Sequence, residues 1–292
     1  MRPLQYAAVT PVLNEAENLQ RLARCLAGQT VLPVRWLVVD TGSTDETVAI
    51  ARSFAEELPF IQVERAQVDV AQSQRGAPIV RAFEHGLGLL EDDADIVVKL
   101  DADVSFEPDY FSRLLAAFER EPSLGIASGS AEEFDGTNWR LRLNTGASVW
   151  GAARAYRRDC LAQVRPLEQS MGWDGIDEAK AQLHGWSTRT LPDLRFRHHR
   201  LEGERDGRRW RAWAARGRAS HYMGYRSWYL VLRALHHTRH EPAALALIWG
   251  YLAALIRRER VCSDAAVRSY LRRTQNIRHL RTRRREALQA SD

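Results

Sequence analysis

The sequence predicts an α/β protein with a mostly parallel sheet flanked by helices, followed by a helical, basic C-terminal appendage. In the first half of the chain, strand-like apolar segments alternate with amphipathic helical segments, as in sheets covered by helices on both faces. Polar clusters follow three of these strands, and open parallel sheets bind their ligands at that edge. We therefore predict one domain at residues 1–200 and an Arg-rich region at residues 201–292.

The individual elements follow from the spacing of apolar residues. Apolar side chains at positions i, i+3, i+4 and i+7 from Leu19 to Leu26 predict a helix at 18–29. The S-x-x-E sequence at 43–46 has the form of a capping box and predicts that a helix follows it. The remaining predicted elements are strands at 6–10, 36–39, 60–63, 96–100, 125–130 and 188–196, and helices at 78–90 and 108–121.

The composition is that of an ordinary globular protein, with 45% hydrophobic and 27% charged residues in a 292-residue chain. Its three cysteines lie far apart without C-x-x-C spacing, which predicts neither a disulfide framework nor a zinc site. No apolar signal segment precedes the first predicted strand. We therefore expect a cytoplasmic protein.

The net charge of +5 conceals an asymmetry along the chain. Residues 195–292 contain 23 arginines against 8 acidic residues, a charge of +15, and the other 194 residues carry −10. An acidic first part and a basic end indicate two surfaces with different partners.

The segment 243–256 is almost wholly apolar but shorter than the roughly 20 residues that span a bilayer. Arginines and tryptophans flank it, which favours peripheral contact with the anionic inner face of the cell membrane. A buried helix or a dimer helix is the alternative interpretation, and the sequence leaves the oligomeric state open.

Asp101 and Asp103 come directly after the predicted strand at 96–100. Two carboxylates one residue apart at a strand end point to the same side and can share one divalent cation. Their oxygens suit Mg²⁺ or Mn²⁺, which substrate phosphates often complete. A solvated turn is the alternative for so short a motif. Polar clusters at 10–15 and 40–43 follow two further strands, so three clusters meet at one edge and favour a binding site.

The segments 9–15, 38–47 and 100–103 together resemble the family 2 glycosyltransferases, over roughly residues 5–200. The resemblance implies the GT-A type of fold and a metal-dependent, inverting transfer of sugar from a nucleotide diphosphosugar. A UDP-sugar is the expected donor, Mn²⁺ or Mg²⁺ the expected cofactor, and a glycan or lipid-linked molecule the expected acceptor. Such transfer would serve polysaccharide or cell-envelope glycan synthesis.

The resemblance also implies roles for individual residues. It places Asp103 on the metal, with Asp101 facing ribose or sugar beside it. His199, or its neighbour His198, would complete the metal site, and Arg200 would neutralise a phosphate; a surface histidine pair is the alternative. The residues expected to bind the nucleotide-sugar are Thr10, Pro11, Glu15, Asp40, Ser43, Arg75, Gly76, Asp101 and Arg200.

Inversion needs a carboxylate that takes the proton of the acceptor hydroxyl. The resemblance places this base in an acidic pair at a helix start, here Asp177 and Glu178. We predict Asp177 as the base, Glu178 as its runner-up, and Asp174 as a further candidate that caps the helix. Acids that merely cap a helix and favour its dipole are the alternative.

Two other classes of protein share single features with this chain. Phosphatases of the haloacid dehalogenase type also carry Asp-x-Asp after a parallel strand, but there the motif opens the fold, and here three βα units precede it. A nucleic-acid-binding protein would explain the Arg- and aromatic-rich end but not the acidic first part. We therefore expect no nucleic acid partner.

Overall fold

In a computed structural model of the chain, the structure describes residues 2–67, 76–90, 94–134, 137–141, 148–200, 209–239 and 241–276. The strands of these residues are β1 Tyr6–Val12, β2 Arg35–Asp40, β3 Ile61–Arg65, β4 Ile96–Leu100, β5 Val104–Phe106, β6 Leu124–Phe134, β7 Trp139–Leu141, β8 Ala153–Arg157 and β9 Ser187–His198. The α-helices are α1 Ala16–Ala27, α2 Thr47–Glu57, α3 Ala77–Leu89, α4 Tyr110–Arg120, α5 Arg158–Val164, α6 Trp173–Leu183, α7 Arg209–Tyr222, α8 Ser227–Thr238, α9 Ala246–Ile256 and α10 Ala265–Thr274.

One sheet organises the described strands, in the order β3-β2-β1-β4-β8-β6-β9-β5, with β7 paired to β6. The first four strands run parallel, as the alternation of strands and helices predicts. Beyond β4 the sheet is mixed, because β8 runs antiparallel to both of its neighbours while β9 runs parallel to β6. The carboxyl ends of the parallel strands and of β9 bring the predicted polar clusters to one edge.

Two apolar layers form the core, one on each face of the sheet. Successive strand residues point to opposite faces, so Val38 packs under α1, α2 and α4, and Val39 packs under α3, α5 and α6. Both layers are built from fully buried side chains, which explains why the central strands read as continuous apolar runs.

The predicted capping box at 43–46 does not form, because α2 begins at Thr47. The Ser43 hydroxyl instead accepts a hydrogen bond from the backbone N–H of Asn14, at 2.9 Å. The Asp45 carboxylate accepts one from the backbone N–H of Thr47, at 3.0 Å. Ser43 therefore joins the loop after β2 to the loop after β1 and does not cap the helix.

The C-terminal helices pack onto the sheet domain through α6. Ile176 of α6 shares an apolar cluster with Ala219 and Met223 of α7 and with Val267 of α10. Helices α7 and α9 cross very closely, and a Cβ added at Gly250 would lie 1.9 Å from a carbonyl oxygen of α7. The apolar segment is a short 3-10 helix, Pro242–Leu245, followed by α9. Within the described ranges, every helix is too short or too polar to cross a membrane.

Candidate functional site

The loops after β1 and β2 are joined to each other at the carboxyl edge of the sheet. Asn14 has a left-handed backbone, with φ +55°, and its side-chain oxygen accepts a hydrogen bond from the N–H of Thr44 at 2.8 Å. Asp40 is buried and accepts hydrogen bonds from the N–H groups of Gly42, at 3.1 Å, and Ser43, at 2.9 Å. The Asp40 carboxylate therefore shapes the turn at this edge, and its contact with a nucleotide base stays a prediction.

Thr10 does not line this edge with its side chain, which corrects one prediction. The side chain is fully buried, and its hydroxyl accepts a hydrogen bond from the indole N–H of Trp36 at 2.9 Å. Strand alternation turns Thr10 toward the helices that cover this face of the sheet. Its hydroxyl satisfies a buried indole donor, and the half-buried Pro11 next to it pairs with Val39.

Glu15 is buried and holds Arg200, which lies 185 residues away in the chain. The two side chains form a bidentate pair at 2.9 and 2.8 Å, and Asn18 donates a further hydrogen bond to Glu15 at 2.8 Å. Arg200 also reaches to 3.4 Å from Asp103 Oδ2. Glu15 therefore orients a guanidinium beside the aspartate motif, and direct contact between Glu15 and a nucleotide stays a prediction.

His198, and not His199, faces Asp103. The His198 Nε2 atom lies 3.5 Å from Asp103 Oδ1, and Nδ1 lies 3.3 Å from Glu133. The His199 ring points to the other side, where Nε2 lies 2.7 Å from the Ser105 hydroxyl. Of the two histidines that the resemblance offered, His199 therefore does not face Asp103 and His198 lies beside it, and metal binding by either histidine stays a prediction.

The two histidines also differ electrostatically. Burial opposes a charge on His198, but its contacts with the Asp103 and Glu133 carboxylates outweigh burial and raise the pKa of His198 to about 9. Burial, reinforced by the Arg21 guanidinium, lowers the pKa of His199 to about 4. Burial also acts to raise the pKa of Asp103, but His198 and Arg200 outweigh it and hold that pKa below its usual range.

Asp101 is held by Lys99, a residue that the sequence analysis missed. The buried ammonium donates hydrogen bonds to Asp101 Oδ1 and, at 3.0 Å, to the carbonyl of Gly151. It also lies 5.8 Å from the ring centre of Trp173 in α6. Its rarity is the one feature of the sequence that could have drawn attention to it, since Lys99 is one of two lysines among 42 basic residues. Both lysines donate to main-chain carbonyls, Lys180 to those of Val164 and Pro166.

A divalent cation fits the Asp103 side of this group of residues. Asp103 Oδ1 is buried and makes no hydrogen bond of good geometry, although the His198 ring lies 3.5 Å from it. The nearby ligand atoms are a carboxylate oxygen and an imidazole nitrogen that must first release its proton, and Mn²⁺ accepts both types of ligand. Within the described part of the chain no three such side chains stand close enough to enclose an ion. A cation here would therefore need ligands from a substrate, as Mg²⁺ and Mn²⁺ sites on diphosphates do.

The acidic residues of α6 divide into two kinds by their surroundings, and which of them is the base stays a prediction. Asp177 is fully buried, receives a hydrogen bond from Arg154 at 2.6 Å and binds the Tyr156 hydroxyl. Glu178 accepts hydrogen bonds from Arg154, at 3.1 Å, and from the Val149 N–H, at 2.8 Å. Within the described residues, Asp177 is thus enclosed by protein donors, whereas the Glu178 side chain, held by the same arginine, keeps 14% of its surface exposed.

Burial dominates the electrostatics of the enclosed pair. It raises the pKa of Asp177 to about 6 and that of Glu178 to about 8, although Arg154 opposes both shifts. Arg154 is itself completely buried and also donates to the carbonyl of Asp174, at 2.8 Å. Arg154 and Tyr156 had no signal in the sequence, because nothing local to β8 shows which helix they face.

Asp174 is half-buried in the first turn of α6; it is not the N-cap residue, but its Oδ1 accepts a hydrogen bond from the N–H of Gly175 at 3.0 Å. The helix begins at Trp173, after Gly172 in a left-handed conformation with φ +88°. Asp174 Oδ2 would lie 3.9 Å from a Cβ added at Gly151, the residue whose carbonyl binds Lys99. Of the three predicted base candidates, Asp174 is therefore the one that adjoins Gly151, whose carbonyl binds the lysine that holds Asp101.

Gly76 has a structural reason to be glycine. It precedes α3 with φ +91°, and an added Cβ would lie 2.8 Å from the carbonyl oxygen of Ser170. This contact brings the start of α3 against the loop that leads into α6. Arg75, the neighbouring nucleotide-binding candidate, lies outside the described residues, and the nucleotide roles of both residues stay predictions.

Comparisons with known proteins show what the chain is similar to. The sequence is 31% identical over 183 residues to a polyprenol monophosphomannose synthase of Mycolicibacterium smegmatis, covering 56% of this chain and 66% of that protein. It is 24% identical over 172 residues to a dolichol-phosphate mannosyltransferase of Pyrococcus furiosus, covering 56% of this chain and 44% of that protein. The chain thus spans less than two thirds of the length of either relative.

The fold resembles that of a mannosyltransferase of Pyrobaculum calidifontis, solved in complex with GDP-Man and Mn²⁺. The TM-score is 0.60 at 15% identity, and the alignment covers 100% of this chain and 87% of that structure. The mixed sheet with flanking helices is thus the GT-A fold that the sequence resemblance implies. The family model for glycosyl transferase family 2 matches residues 7–173, more than half of the chain, and the chain belongs to that family.

Proposed function

We propose that this protein is a metal-dependent, inverting glycosyltransferase that moves a sugar from a nucleotide diphosphosugar to a hydroxyl of a glycan or lipid-linked acceptor. One observation carries the proposal: Asp103 presents a buried carboxylate oxygen without a well-formed hydrogen bond at the carboxyl edge of a parallel sheet, beside His198 and Arg200. This arrangement suits a cation and a diphosphate bound together.

Asp103 and His198 would hold the cation, and Asp101 would adjoin it. When bound, a divalent cation neutralises the diphosphate and stabilises the departing nucleotide. Arg200, which Glu15 already orients in a bidentate pair, would share the diphosphate charge through a second charge-assisted contact. The loop 40–43 would border the nucleotide base, in agreement with the sequence resemblance.

Asp174 would act as the general base. It lies in the first turn of α6 beside Gly151, and the enclosed Arg154 fixes its backbone carbonyl. A carboxylate in this place takes the proton of the acceptor hydroxyl as that oxygen attacks the anomeric carbon. Asp177 and Glu178, the first two sequence candidates, would instead anchor the helix that carries the base.

The relatives support a lipid-linked acceptor and leave the nucleotide to experiment. Both curated relatives are described by the transfer of mannose to a polyprenol or dolichol phosphate, and the similar structure holds GDP-Man. A UDP-sugar is the donor that the sequence resemblance implies. A lipid-linked acceptor would place the reaction at the cytoplasmic face of the cell membrane.

The donor site is tested by titrating UDP- and GDP-sugars into the full chain, with Mn²⁺ or with EDTA, in a calorimeter. We expect binding that requires Mn²⁺ and is lost in Asp103→Asn. The exposed Asp193 provides a matched control, and Asp193→Asn should bind as wild type does. Equal binding of the donor by Asp103→Asn, or in EDTA, would exclude the proposed site.

The base is tested by its substitution with the neutral amide. Asp174→Asn should lower the rate with a hydroxyl acceptor by roughly 10²–10⁴-fold, because it cannot take a proton. Donor affinity should stay unchanged, since the residue would act on the acceptor. Normal turnover in Asp174→Asn, with activity lost in a folded Asp177→Asn variant, would return the base to Asp177.

A further inference from the structure

Helix α8 carries a row of apolar side chains exposed to solvent. Trp228, Val231, Leu232 and Leu235 follow one another at positions i, i+3, i+4 and i+7, so they share one face. All four are at least one third exposed, although the other side of the helix is buried through Leu230 and Ala234. The described residues therefore leave a continuous strip of apolar surface on α8 uncovered.

The neighbouring helix α9 and the turn before it carry a second such row. Leu245, Trp249, Leu252 and Ile256 stand at i, i+4, i+7 and i+11, and Trp249 and Ile256 are 64% and 79% exposed. The opposite side of α9 packs against α7 and, through Leu247, against α8. These eight residues of α8, α9 and their connection form what we call the apolar face.

The surroundings of the apolar face are strongly basic. Residues 209–239 and 241–276 contain 13 arginines against three acidic residues. Two of those acids are already paired, Glu241 with Arg209 and Glu259 with Arg218. The exposed arginines next to the two rows are Arg226, Arg239, Arg257, Arg258 and Arg260.

We propose that the apolar face docks on an anionic phospholipid bilayer, with the neighbouring arginines at the level of the headgroups. Charge complementarity selects this occupant, because an apolar row between cations suits a surface that is apolar inside and negative outside. Pairing of two copies through this face is disfavoured, because it would bring two sets of positively charged arginines together. Helix α9 has 11 residues, about 16 Å at 1.5 Å per residue, and therefore lies in the interface of a bilayer about 30 Å thick.

Docking by this face would bring the site to a lipid-linked acceptor in the membrane, and to that extent the inference rests on the proposed function. Helix α9 packs against α7, which shares an apolar cluster with α6 through Ile176. Helix α6 carries Asp174 in its first turn. A continuous path of packed helices thus connects the bilayer contact to the proposed acceptor side of the site.

The test is flotation of the full chain with vesicles of phosphatidylcholine alone or with added phosphatidylglycerol, at low and high salt. We expect flotation with the anionic vesicles, weakened by salt. The double variant Trp249→Ser/Ile256→Ser should reduce the partition at least about tenfold, since two large side chains leave the interface. Leu89→Ser/Leu183→Ser, which changes two exposed leucines elsewhere, should float as wild type does.

Three outcomes would overturn the inference: no flotation, equal flotation with neutral vesicles, or unchanged flotation of the Trp249→Ser/Ile256→Ser variant. Light scattering that shows a dimer dependent on Trp249 and Ile256 would assign the face to a second copy. Mn²⁺-dependent donor binding is measured in the same variants and should not change. Failure of donor binding with intact flotation would refute the proposed function and leave the docking surface standing.

Discussion

Replacing Arg154 with methionine is the sharpest test of how the site is held together. Met is close to Arg in length and apolar, so Arg154→Met removes the charge and its hydrogen bonds while filling much of the space. The fully buried Asp177 and the mostly buried Glu178 would lose their guanidinium partner, and the carbonyl of Asp174 would lose a donor. The structure therefore predicts a large loss of stability from one substitution.

The magnitude follows from the burial of the group. Removing one partner of a buried ion pair typically costs about 3–5 kcal/mol, because the remaining charge stays desolvated. Arg195 provides a matched control, since it pairs with Glu132 at 3.2 Å but is 59% exposed. An exposed pair contributes about 0–1 kcal/mol, so Arg195→Met should change the free energy of unfolding by no more than that. Urea unfolding monitored by circular dichroism measures both variants.

The pH dependence gives an independent check on the cause. The pKa values of Asp177 and Glu178 are raised to about 6 and about 8, so the folded chain binds these protons more tightly than the unfolded chain. Their contribution to stability is therefore present at low pH and is lost as the pH rises toward 8. Removing Arg154 raises both pKa values further, and the deficit of Arg154→Met should be larger at pH 8 than at pH 5.

Two results would refute this reasoning. A loss below about 1 kcal/mol, equal to that of Arg195→Met, would mean that the two carboxylates are satisfied without the guanidinium. The loss of stability in Arg154→Met could also be the same at pH 5 and at pH 8. Arg154 would then not act by stabilising the ionised forms of Asp177 and Glu178.

Three further substitutions test other parts of the structure. His198→Gln should weaken Mn²⁺ binding in calorimetry at least about tenfold, and His199→Gln should leave it unchanged; the reverse result would restore the sequence prediction. Lys99→Met should weaken Mn²⁺ binding about tenfold or more. The loss should be larger at pH 6 than at pH 8, because the Asp101 carboxylate no longer has the lysine cation that favours its ionised form. Equal loss at both pH values would contradict this explanation. Gly250→Ala should destabilise the fold by about 1–3 kcal/mol in thermal unfolding. Gly88→Ala, where no atom lies within 4 Å of the added Cβ, should not. Equal effects would show that the stability of the fold does not depend on the close crossing of α7 and α9.

The sequence alone determined the parallel half of the sheet and the place of the aspartate motif. The predicted strand at 96–100 has the bounds of β4, and the predicted helix at 18–29 lies within two residues of α1. Both depend on local properties, namely the period of apolar residues and the polar residues that follow a strand end. Asp101 and Asp103 could be found for the same reason.

Only the tertiary structure decided which neighbour of each candidate pair faces the site. His198 lies opposite Val104 in the β5–β9 register, and strand alternation sends His199 to the other side. Asp177 is enclosed because Arg154, 23 residues earlier, lies in a strand that packs under α6. A pattern in the sequence gives the type and spacing of side chains, but register and long-range packing determine their partners. The site residues that the sequence missed, Lys99, Arg154 and Tyr156, are defined by such partners.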